Sequence, residues 1–431
     1  HSNRTNFNPP SHNHLMTLMR PLSEMSFERT FYGDFTGDGQ TDVVVQAGRS
    51  LVVYESAPDG LRFVGVTAGA LTGPGGDASL MHRGRVLIGN FDSDPNDELI
   101  VISRSRNTRI AITIDFANGA FTTKHIATGG FVGPNSYQPI GSNDRYLVLD
   151  YDGDGIDDVA AINLTDFRTE AFTIYRTLPN GGFTTAVAYF THLPRWRMAP
   201  GDQFQAGDFD KDGKDDILVT NTKNWRRGWI GTFLSNGRTL KIYTRNADSF
   251  VNWNKLTDGD RFHVGDFNGD GMQDIAITNV ARNYWCCDYL ATMMSTGSGF
   301  ARSVKYQNSV PGWNIATGDQ YIVANVDGDR DDDLVVYNPT HWRSEFLGIL
   351  QSQGNGRYQR RGFSEDRVGR WNLHRNDQFS VVRIDNNARE DLVVYNANWL
   401  GVLRSDGTRF TQSQIHFEYL ADYEYHRSGW W

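Results

Sequence analysis

The chain has 431 residues, with 44 glycines, 13% aromatic residues, 39% hydrophobic residues and a formal net charge of −9. This composition favours an all-β fold over a helical bundle, and the negative charge argues against a general nucleic-acid binder. No apolar run approaches the ~18 residues of a transmembrane helix, and the two cysteines are adjacent, so a disulfide framework is excluded as well.

Residues 1–26 are rich in Asn, Pro and His and lie outside the repeat that follows. We interpret them as an N-terminal extension. The chain begins at His1 without a signal-peptide pattern, so we expect a mature or excised fragment whose targeting segment is not visible.

From about Phe27 onward, an acidic nine-residue segment recurs seven times. The copies begin at residues 34, 90, 150, 208, 266, 325 and 383, so their starts lie 56–60 residues apart. A fixed period of this length indicates a repeat architecture. The copies are Asp34–Asp42 (DFTGDGQTD), Asn90–Glu98 (NFDSDPNDE), Asp150–Asp158 (DYDGDGIDD), Asp208–Asp216 (DFDKDGKDD), Asp266–Asp274 (DFNGDGMQD), Asn325–Asp333 (NVDGDRDDD) and Arg383–Asp391 (RIDNNARED).

Each unit contains four short segments with strand character. The acidic segment follows an aromatic-bearing run and precedes a β-branched run such as Ile217–Asn221; a third run ends in a glycine turn, as in Phe233–Gly237, and a fourth follows. Short apolar runs between turn signals predict strands. We therefore predict an all-β, seven-bladed β-propeller of four-stranded blades over residues 27–431, with a linear β-solenoid as the alternative.

Tryptophans recur in the same pattern. Trp196, Trp253, Trp313 and Trp371 precede the first strands of units four to seven, and Trp430 lies 59 residues after Trp371. In a closed ring the next start is the first blade, so we predict Trp430 at the junction with blade 1.

The acidic segments have the composition of calcium loops. In the fourth copy, carboxylates occupy positions 1, 3, 5 and 9, and Gly213 at position 6 permits a sharp turn. Ca²⁺ prefers six to eight oxygen ligands, and position 7 can offer a backbone carbonyl. The predicted ligands are Asp34, Thr36, Asp38, Gln40, Asp42, Asn90, Asp92, Asp94, Asn96, Glu98, Asp150, Asp152, Asp154, Ile156, Asp158, Asp208, Asp210, Asp212, Lys214, Asp216, Asp266, Asn268, Asp270, Met272, Asp274, Asn325, Asp327, Asp329, Asp331 and Asp333.

The copies differ in quality. Pro95 and Arg330 replace the glycine in units two and six, and Arg383 replaces the first carboxylate in unit seven. We predict up to six calcium ions and none in unit seven, where the Arg383 guanidinium would pair with Asp385 or Asp391 instead.

The segments GDFTGDGQTD, GDFDKDGKDD and GDFNGDGMQD resemble the FG-GAP/VCBS repeat family, whose best-known members are the integrin α-subunit propellers. The resemblance covers nearly the whole chain after the extension. It implies a propeller with metal loops that serve stability on one rim and ligands on the opposite rim. The family spans adhesion receptors, lectins, and propellers attached to secreted hydrolases and lyases, so the resemblance implies little about activity.

The loops expected on the opposite rim are rich in tryptophan, arginine and histidine. Aromatic faces stack on sugars, and arginines bind hydroxyls or carboxylates. The ligand-binding candidates are Trp225, Arg226, Trp285, Trp342, Arg343, Trp371 and Trp399. The structural alternative is that the recurring tryptophans pack between blades. Cys286 and Cys287 lie in one of these loops, either as thiols or as a strained vicinal disulfide.

No sequence signature of a hydrolase triad, a zinc protease or a nucleotide site is present. The sequence leaves three functions open. The first is a secreted or cell-surface calcium-stabilised propeller that binds glycan or an extracellular protein. The second is a polysaccharide lyase or glycoside hydrolase at the same rim, with His82, His192, His341 and His374 as candidate catalytic residues. The third is a structural accessory module of a larger secreted enzyme. The oligomeric state is not predicted.

Overall fold

The computed structural model of the protein describes residues 27–47, 50–57, 60–67, 84–105, 108–128, 144–164, 170–222, 229–247, 256–280, 288–297, 299–338, 346–396 and 399–415. These residues form seven antiparallel four-stranded sheets, each with its strands in chain order, and three short hairpins. The predicted seven-bladed all-β propeller is thereby confirmed. The predicted extension 1–26, Trp253 and Trp430 lie outside the described residues.

The strands of blades 1 to 3 are β1 (Phe27–Gly33), β2 (Asp42–Ala47), β3 (Ser50–Ala57), β4 (Gly60–Thr67); β5 (Arg85–Gly89), β6 (Glu98–Ser105), β7 (Thr108–Ala117), β8 (Ala120–Thr128); β9 (Arg145–Leu149), β10 (Asp158–Asn163), β11 (Ala171–Thr177) and β12 (Phe183–Phe190). A hairpin of β13 (His192–Leu193) and β14 (Trp196–Arg197) follows blade 3.

The strands of blades 4 and 5 are β15 (Gln203–Gly207), β16 (Asp216–Asn221), β17 (Trp229–Ser235), β18 (Leu240–Ala247); β19 (Asp260–Gly265), β20 (Asp274–Asn279), β21 (Tyr289–Ser295) and β22 (Phe300–Gln307). After hairpin β23 (Ser309–Val310) and β24 (Trp313–Asn314), blade 6 comprises β25 (Gln320–Ala324), β26 (Asp333–Asn338), β27 (Phe346–Ser352) and β28 (Tyr358–Glu365). After hairpin β29 (Arg367–Val368) and β30 (Trp371–Asn372), blade 7 comprises β31 (Gln378–Val382), β32 (Asp391–Asn396), β33 (Trp399–Ser405) and β34 (Phe410–Ile415).

The acidic segments connect the first and second strands of every blade, and we call them acidic loops 1 to 7. They lie on one rim, here called the acidic rim, and the first strands begin at the opposite rim. First strands of neighbouring blades contact each other, so they surround the axis of the ring. Second strands such as β16 and β26 are buried along their whole length, which explains their continuous β-branched sequence.

The core is divided into seven hydrophobic clusters, and each cluster joins two neighbouring blades. Between blades 3 and 4, for example, Phe172 and Ile174 belong to one cluster with Val219 and Phe233. Burial of a large apolar side chain contributes about 1.5–3 kcal/mol. The contacts between blades therefore supply the burial that a single four-stranded sheet cannot.

The ring is closed between blades 7 and 1. Val43 and Val45 of blade 1 share a core cluster with Val393 and Val402 of blade 7. On the acidic rim, the Thr41 N–H donates to the Arg383 carbonyl at 2.8 Å. The described residues therefore form a ring and not a linear solenoid, and within them every blade takes its four strands from one continuous stretch of chain.

Candidate metal loops and the opposite rim

The first carboxylate of an acidic loop organises the loop backbone. In loop 3, Asp150 accepts hydrogen bonds from the Gly153 N–H at 2.8 Å and the Gly155 N–H at 3.0 Å. Gly155 has a φ of 83°, a left-handed conformation that suits glycine. The glycine at position 6 thus lets the loop fold back over its first aspartate.

The carboxylate at position 9 anchors the loop to the blade. In loop 4, Asp216 is fully buried and accepts from the Phe209 N–H at 3.0 Å and the Ser235 N–H at 2.7 Å. Ser235 ends the third strand of the blade, and its hydroxyl donates to the Tyr151 carbonyl of blade 3 at 2.6 Å. Position 9 therefore ties its loop to its own blade and, through the serine, to the preceding blade.

Burial raises the pKa of these anchoring carboxyls. The pKa rises to about 8 for Asp158 and Asp216, and to about 9 for Glu98, and neighbouring loop carboxylates add to the effect. Grouped like charges and desolvation both disfavour the ionised form. A bound divalent cation would relieve both.

Among the described residues, three groups of carboxylates have oxygen atoms within 4.8 Å of one another: Asp92, Asp94 and Glu98; Asp150, Asp152 and Asp154; and Asp208, Asp210 and Asp216. These groups belong to loops 2, 3 and 4. Loops 1, 5 and 6 are not among these groups, and calcium stays a prediction at all six loops.

Buried oxygens without hydrogen-bond partners lie in the same loops. They include Glu98 Oε1 in loop 2, Asp152 Oδ1 and Asp158 Oδ2 in loop 3 and Asp210 Oδ1 in loop 4. Buried polar atoms are otherwise nearly always paired. Grouped carboxylate oxygens with spare acceptor capacity are the donor set that Ca²⁺ prefers, so the residues of loops 3 and 4 fit a calcium ion.

Loop 2 contains its own cation. The Lys124 ammonium, from the fourth strand of blade 2, contacts Asp92 and lies 3.0 Å from Asp94. Desolvation opposes the charged form, but the hydrogen bonds to Asp92 and Asp94 outweigh it and raise the pKa of Lys124. A lysine thus occupies the position where a metal would neutralise this loop.

We expect Lys124→Gln to lower the free energy of unfolding by about 1–3 kcal/mol in EGTA, because it leaves the loop 2 carboxylates without a counter-charge. Calcium should restore more stability to this variant than to the wild type. Urea unfolding with and without calcium checks this. Lys241→Gln, at an exposed site on β18, is the control, and equal calcium effects in all three proteins would contradict the prediction.

An aspartate of loop 7 also pairs with a cationic side chain of the protein, but that side chain is not the predicted one. The Arg404 guanidinium lies 3.6 Å from Asp385, and Arg404 also donates to the Ala57 carbonyl of blade 1 at 2.9 Å. Arg383 was the predicted partner, but no ion pair between described residues includes its guanidinium, and its backbone N–H donates to the Thr41 hydroxyl at 3.0 Å. Arg404 lies on the third strand, where its long side chain can reach both the loop and the neighbouring blade.

Position 8 of the acidic loops has a role that the ligand pattern does not include. The Asp97 N–H donates to the Asp34 carbonyl at 2.7 Å, and the Asp97 carboxylate accepts from the Asp34 N–H at 2.7 Å. The same backbone bond from position 8 to position 1 of the preceding blade is present at all seven junctions. Position 8 therefore links adjacent blades around the whole acidic rim.

Three hairpins on the opposite rim each bury a tryptophan. Trp196, Trp313 and Trp371 are 4%, 6% and 3% exposed, respectively. Each ring lies against a third-strand glycine, and a Cβ built on Gly401 would lie 2.6 Å from Trp371. These tryptophans pack within the blades, which corrects the interpretation of Trp371 as a ligand-binding residue, because its ring has no free face for a ligand.

Each of these indole N–H groups donates to a buried aspartate. Trp196 donates to Asp202 at 3.0 Å, and Asp202 also accepts from the Asn221 amide at 2.5 Å and the Ala199 N–H at 3.0 Å. Burial raises the pKa of Asp202. Trp313 with Asp319 and Trp371 with Asp377 repeat the arrangement.

The Asp202 network predicts a pH dependence of stability. Because the folded-state pKa of Asp202 lies above its unfolded value near 4, the folded state binds the proton more tightly. Its contribution to stability is full below about pH 4 and is lost as the pH rises through the folded-state pKa. Asp202→Asn cannot titrate, so its destabilisation relative to wild type, about 1–3 kcal/mol, should shrink from pH 4 to pH 7 in urea unfolding. A constant or growing difference would contradict this.

Most predicted ligand and catalytic residues of the opposite rim lie outside the described residues. These are Trp225, Arg226, Trp285, Trp342, Arg343, His82 and His341, together with the Cys286–Cys287 pair. Trp399 begins β33, and its side chain is not described. His192 and His374 are described and exposed, and the His374 N–H donates to Asp377 at 2.9 Å. Their catalytic roles stay predictions.

The closed ring and its acidic loops define the protein as a seven-bladed β-propeller with candidate metal sites on one rim. Residues 150–219 match the family model of the FG-GAP-like repeat, which confirms the resemblance seen in the motifs. No curated protein sequence matches the chain. In the described part of the chain, we find no helix with the length and apolar character needed to cross a bilayer.

Several solved structures are similar to this chain. An Agrocybe aegerita lectin, described as specifically recognising non-reducing terminal N-acetylglucosamine, has a TM-score of 0.59 and 15% identity over 90% of this chain and 93% of its own. The exotype rhamnogalacturonan lyase YesX has a TM-score of 0.47 and 12% identity over 86% of this chain and 70% of its own. The Pseudomonas aeruginosa periplasmic gluconolactonase PpgL has a TM-score of 0.47 and 10% identity over 90% and 95%. At 15% identity, the similarity to the lectin establishes the fold alone.

Proposed function

We propose that the protein is a secreted, calcium-stabilised β-propeller that binds glycans on the rim opposite its acidic loops. The observation that carries the proposal is the segregation of the two rims. Grouped carboxylates with unpartnered buried oxygens lie on the acidic rim, while aromatic and amide groups are available on the opposite rim.

Calcium is the cation that fits the acidic rim best. The donors of loops 3 and 4 are carboxylates on short loops, a set that suits a hard cation with several oxygen ligands. Extracellular calcium modules work at Kd values of about 10⁻⁴–10⁻³ M, so such loops would be filled outside the cell. This argument also supports the proposed extracellular location.

A groove on the opposite rim supports the glycan part of the proposal. It has a volume of about 600 Å³ and lies beside hairpin β23–β24, where Tyr306 and Pro311 supply apolar surface and Ser309 and Asn314 supply hydrogen-bonding groups. Sugars present both apolar faces and hydroxyl edges, so this lining is complementary to them. The structurally similar lectin, described as recognising N-acetylglucosamine, also supports a glycan as the ligand.

The test is a panel of oligosaccharides scored for both binding and cleavage. We expect binding without turnover, weaker binding for Ser309→Ala and Asn314→Ala, and unchanged binding for Lys241→Gln on the outer strand of blade 4. Thermal unfolding should show a higher Tm in calcium than in EGTA. Cleavage of uronate polymers would instead support the lyase alternative. Binding to an extracellular protein, with no glycan bound, would overturn the proposal.

A further inference from the structure

The innermost strands carry a row of arginines at one register. The position four residues before the end of each first strand is Arg29, Arg85, Arg145 and Arg261 in blades 1, 2, 3 and 5. In blades 4, 6 and 7 the same position is Gln203, Gln320 and Gln378. Arg29 is half-buried, and the other six side chains are exposed. The position lies near the start of the strand, at the axial opening of the opposite rim.

Three of these arginines lie in consecutive blades, and each one reaches toward the next. Arg29 Nη1 donates at 2.9 Å to the carbonyl of Gly84, the residue before Arg85. The Arg85 guanidinium carbon lies 5.9 Å from the ring centroid of Tyr146, the residue after Arg145. Arg145 in turn donates to the Asp202 carbonyl of blade 4 at 3.3 Å. The three side chains therefore form a continuous basic sector.

Among the described residues, the guanidinium groups of Arg29 and Arg145 are not paired with acidic side chains. The oxygens that Arg29 and Arg145 contact are backbone carbonyls, and no ion pair between described residues includes either side chain. A buried aspartate precedes the register position in blades 3 to 7, but blade 2 has Gly84 there. Asp144 of blade 3 is fully buried and accepts from the Asn163 amide at 2.6 Å.

The fold does not require this concentration of charge. Glutamine occupies the same position in three blades, so an uncharged side chain is compatible with the strand and with the junction between blades. Placing three guanidinium groups side by side costs repulsion free energy unless an anion compensates it. Arginine also offers a planar fork of donors that matches a carboxylate or sulfate.

We propose that Arg29, Arg85 and Arg145 bind the anionic group of an acidic glycan at the axial opening of the opposite rim. This inference rests on the proposed glycan function and names its ligand class: saccharides that carry a carboxylate or a sulfate. The site is separate from the groove beside hairpin β23–β24, which belongs to blades 5 and 6.

The test uses three probes of equal length: a galacturonate hexamer, a chondroitin sulfate hexamer and neutral chitohexaose. The main variant is Arg29→Gln, Arg85→Gln and Arg145→Gln combined, which gives these blades the residue that blades 4, 6 and 7 already carry. The control combines Arg238→Gln, Arg357→Gln and Arg409→Gln, which removes three exposed arginines from the turns of the acidic rim.

We expect the main variant to lose at least about tenfold in affinity for one or both acidic hexamers, since each arginine supplies charge-assisted hydrogen bonds. Binding of the neutral probe should be unchanged, and the control should match the wild type. The two acidic probes distinguish a carboxylate ligand from a sulfate ligand. Should the combined variant not fold, Gln203→Arg in blade 4 extends the row and should increase affinity for the same probe.

The failures of the two proposals are distinguishable. Equal binding of neutral and acidic probes, unaffected by the arginine changes, overturns this inference and leaves the glycan function intact. No binding of any saccharide by the folded wild type overturns both. Acidic binding that the acidic-rim control also abolishes reflects overall charge and overturns the assignment to this sector.

Discussion

Replacement of Trp371 by alanine is expected to lower the free energy of unfolding by about 3–5 kcal/mol. The ring is 3% exposed, belongs to the core cluster between blades 6 and 7, and packs against Gly401. Its loss creates a cavity and removes the indole N–H that Asp377 accepts at 2.9 Å. Urea unfolding at pH 7 in EGTA measures the effect.

Trp371→Phe is the matched comparison, because it keeps an aromatic ring at this position while removing the N–H donor and part of the ring volume. We expect it to cost clearly less than the alanine variant. Both variants should bind glycans like the wild type at temperatures where they are folded. If the Trp371→Ala protein had wild-type stability but no longer bound glycans, the result would contradict the packing role and support the original interpretation of Trp371 as a ligand-binding residue.

Replacement of Asp216 by alanine is expected to cost about 2–6 kcal/mol even without calcium. The carboxylate accepts from the backbone N–H groups of Phe209 and Ser235, and each buried donor left without an acceptor costs about 1–3 kcal/mol. The anchoring role of position 9 is thus separate from any role as a metal ligand. Chemical unfolding in EGTA isolates the anchoring contribution.

Asp212→Ala in the same loop provides the contrast, since Asp212 at position 5 is exposed. In EGTA it should change stability little, while in calcium it should reduce the stabilisation that the ion provides. If the two variants were equally stable in EGTA, the buried carboxylate would not anchor the loop.

The fold was predictable because the repeat is visible in the chemistry of its loops. The period of 56–60 residues and the recurrent β-branched runs identify seven units of four strands. The ring follows because neighbouring blades must cover each other's faces. The two rims also follow from strand order, which places the acidic loops and the first-strand starts at opposite ends.

The pairing partners of the loops were not predictable, because they come from distant positions in the chain. Lys124 lies 26 residues beyond the end of loop 2, and Arg404 lies 13 residues beyond the end of loop 7. Neither residue forms part of the nine-residue motif. Whether a recurring tryptophan packs or binds was equally open, because both roles use the same residue type at the same spacing.

Two structural features are visible in the sequence but are easily overlooked beside the metal-ligand pattern. Position 8 is acidic in five of the seven loops, as Asp97, Asp157, Asp215, Asp332 and Glu390, although no calcium ligand is needed there. The arginine row becomes visible when the units are aligned on the last residue of each first strand. Position 8 and the arginine row both lie next to stronger motifs. Both also make their contacts between neighbouring blades, and the sequence of a single repeat does not reveal such contacts.

The seam between blades 7 and 1 uses the same kinds of contact as the other six junctions. It has one core cluster and one backbone hydrogen bond from position 8 to position 1, and no described strand crosses it. The fold therefore does not depend on which of the seven junctions between blades lacks a covalent connection. A circular permutant that joins blade 7 to blade 1 by a linker and opens the chain between two other blades should fold to the same torus.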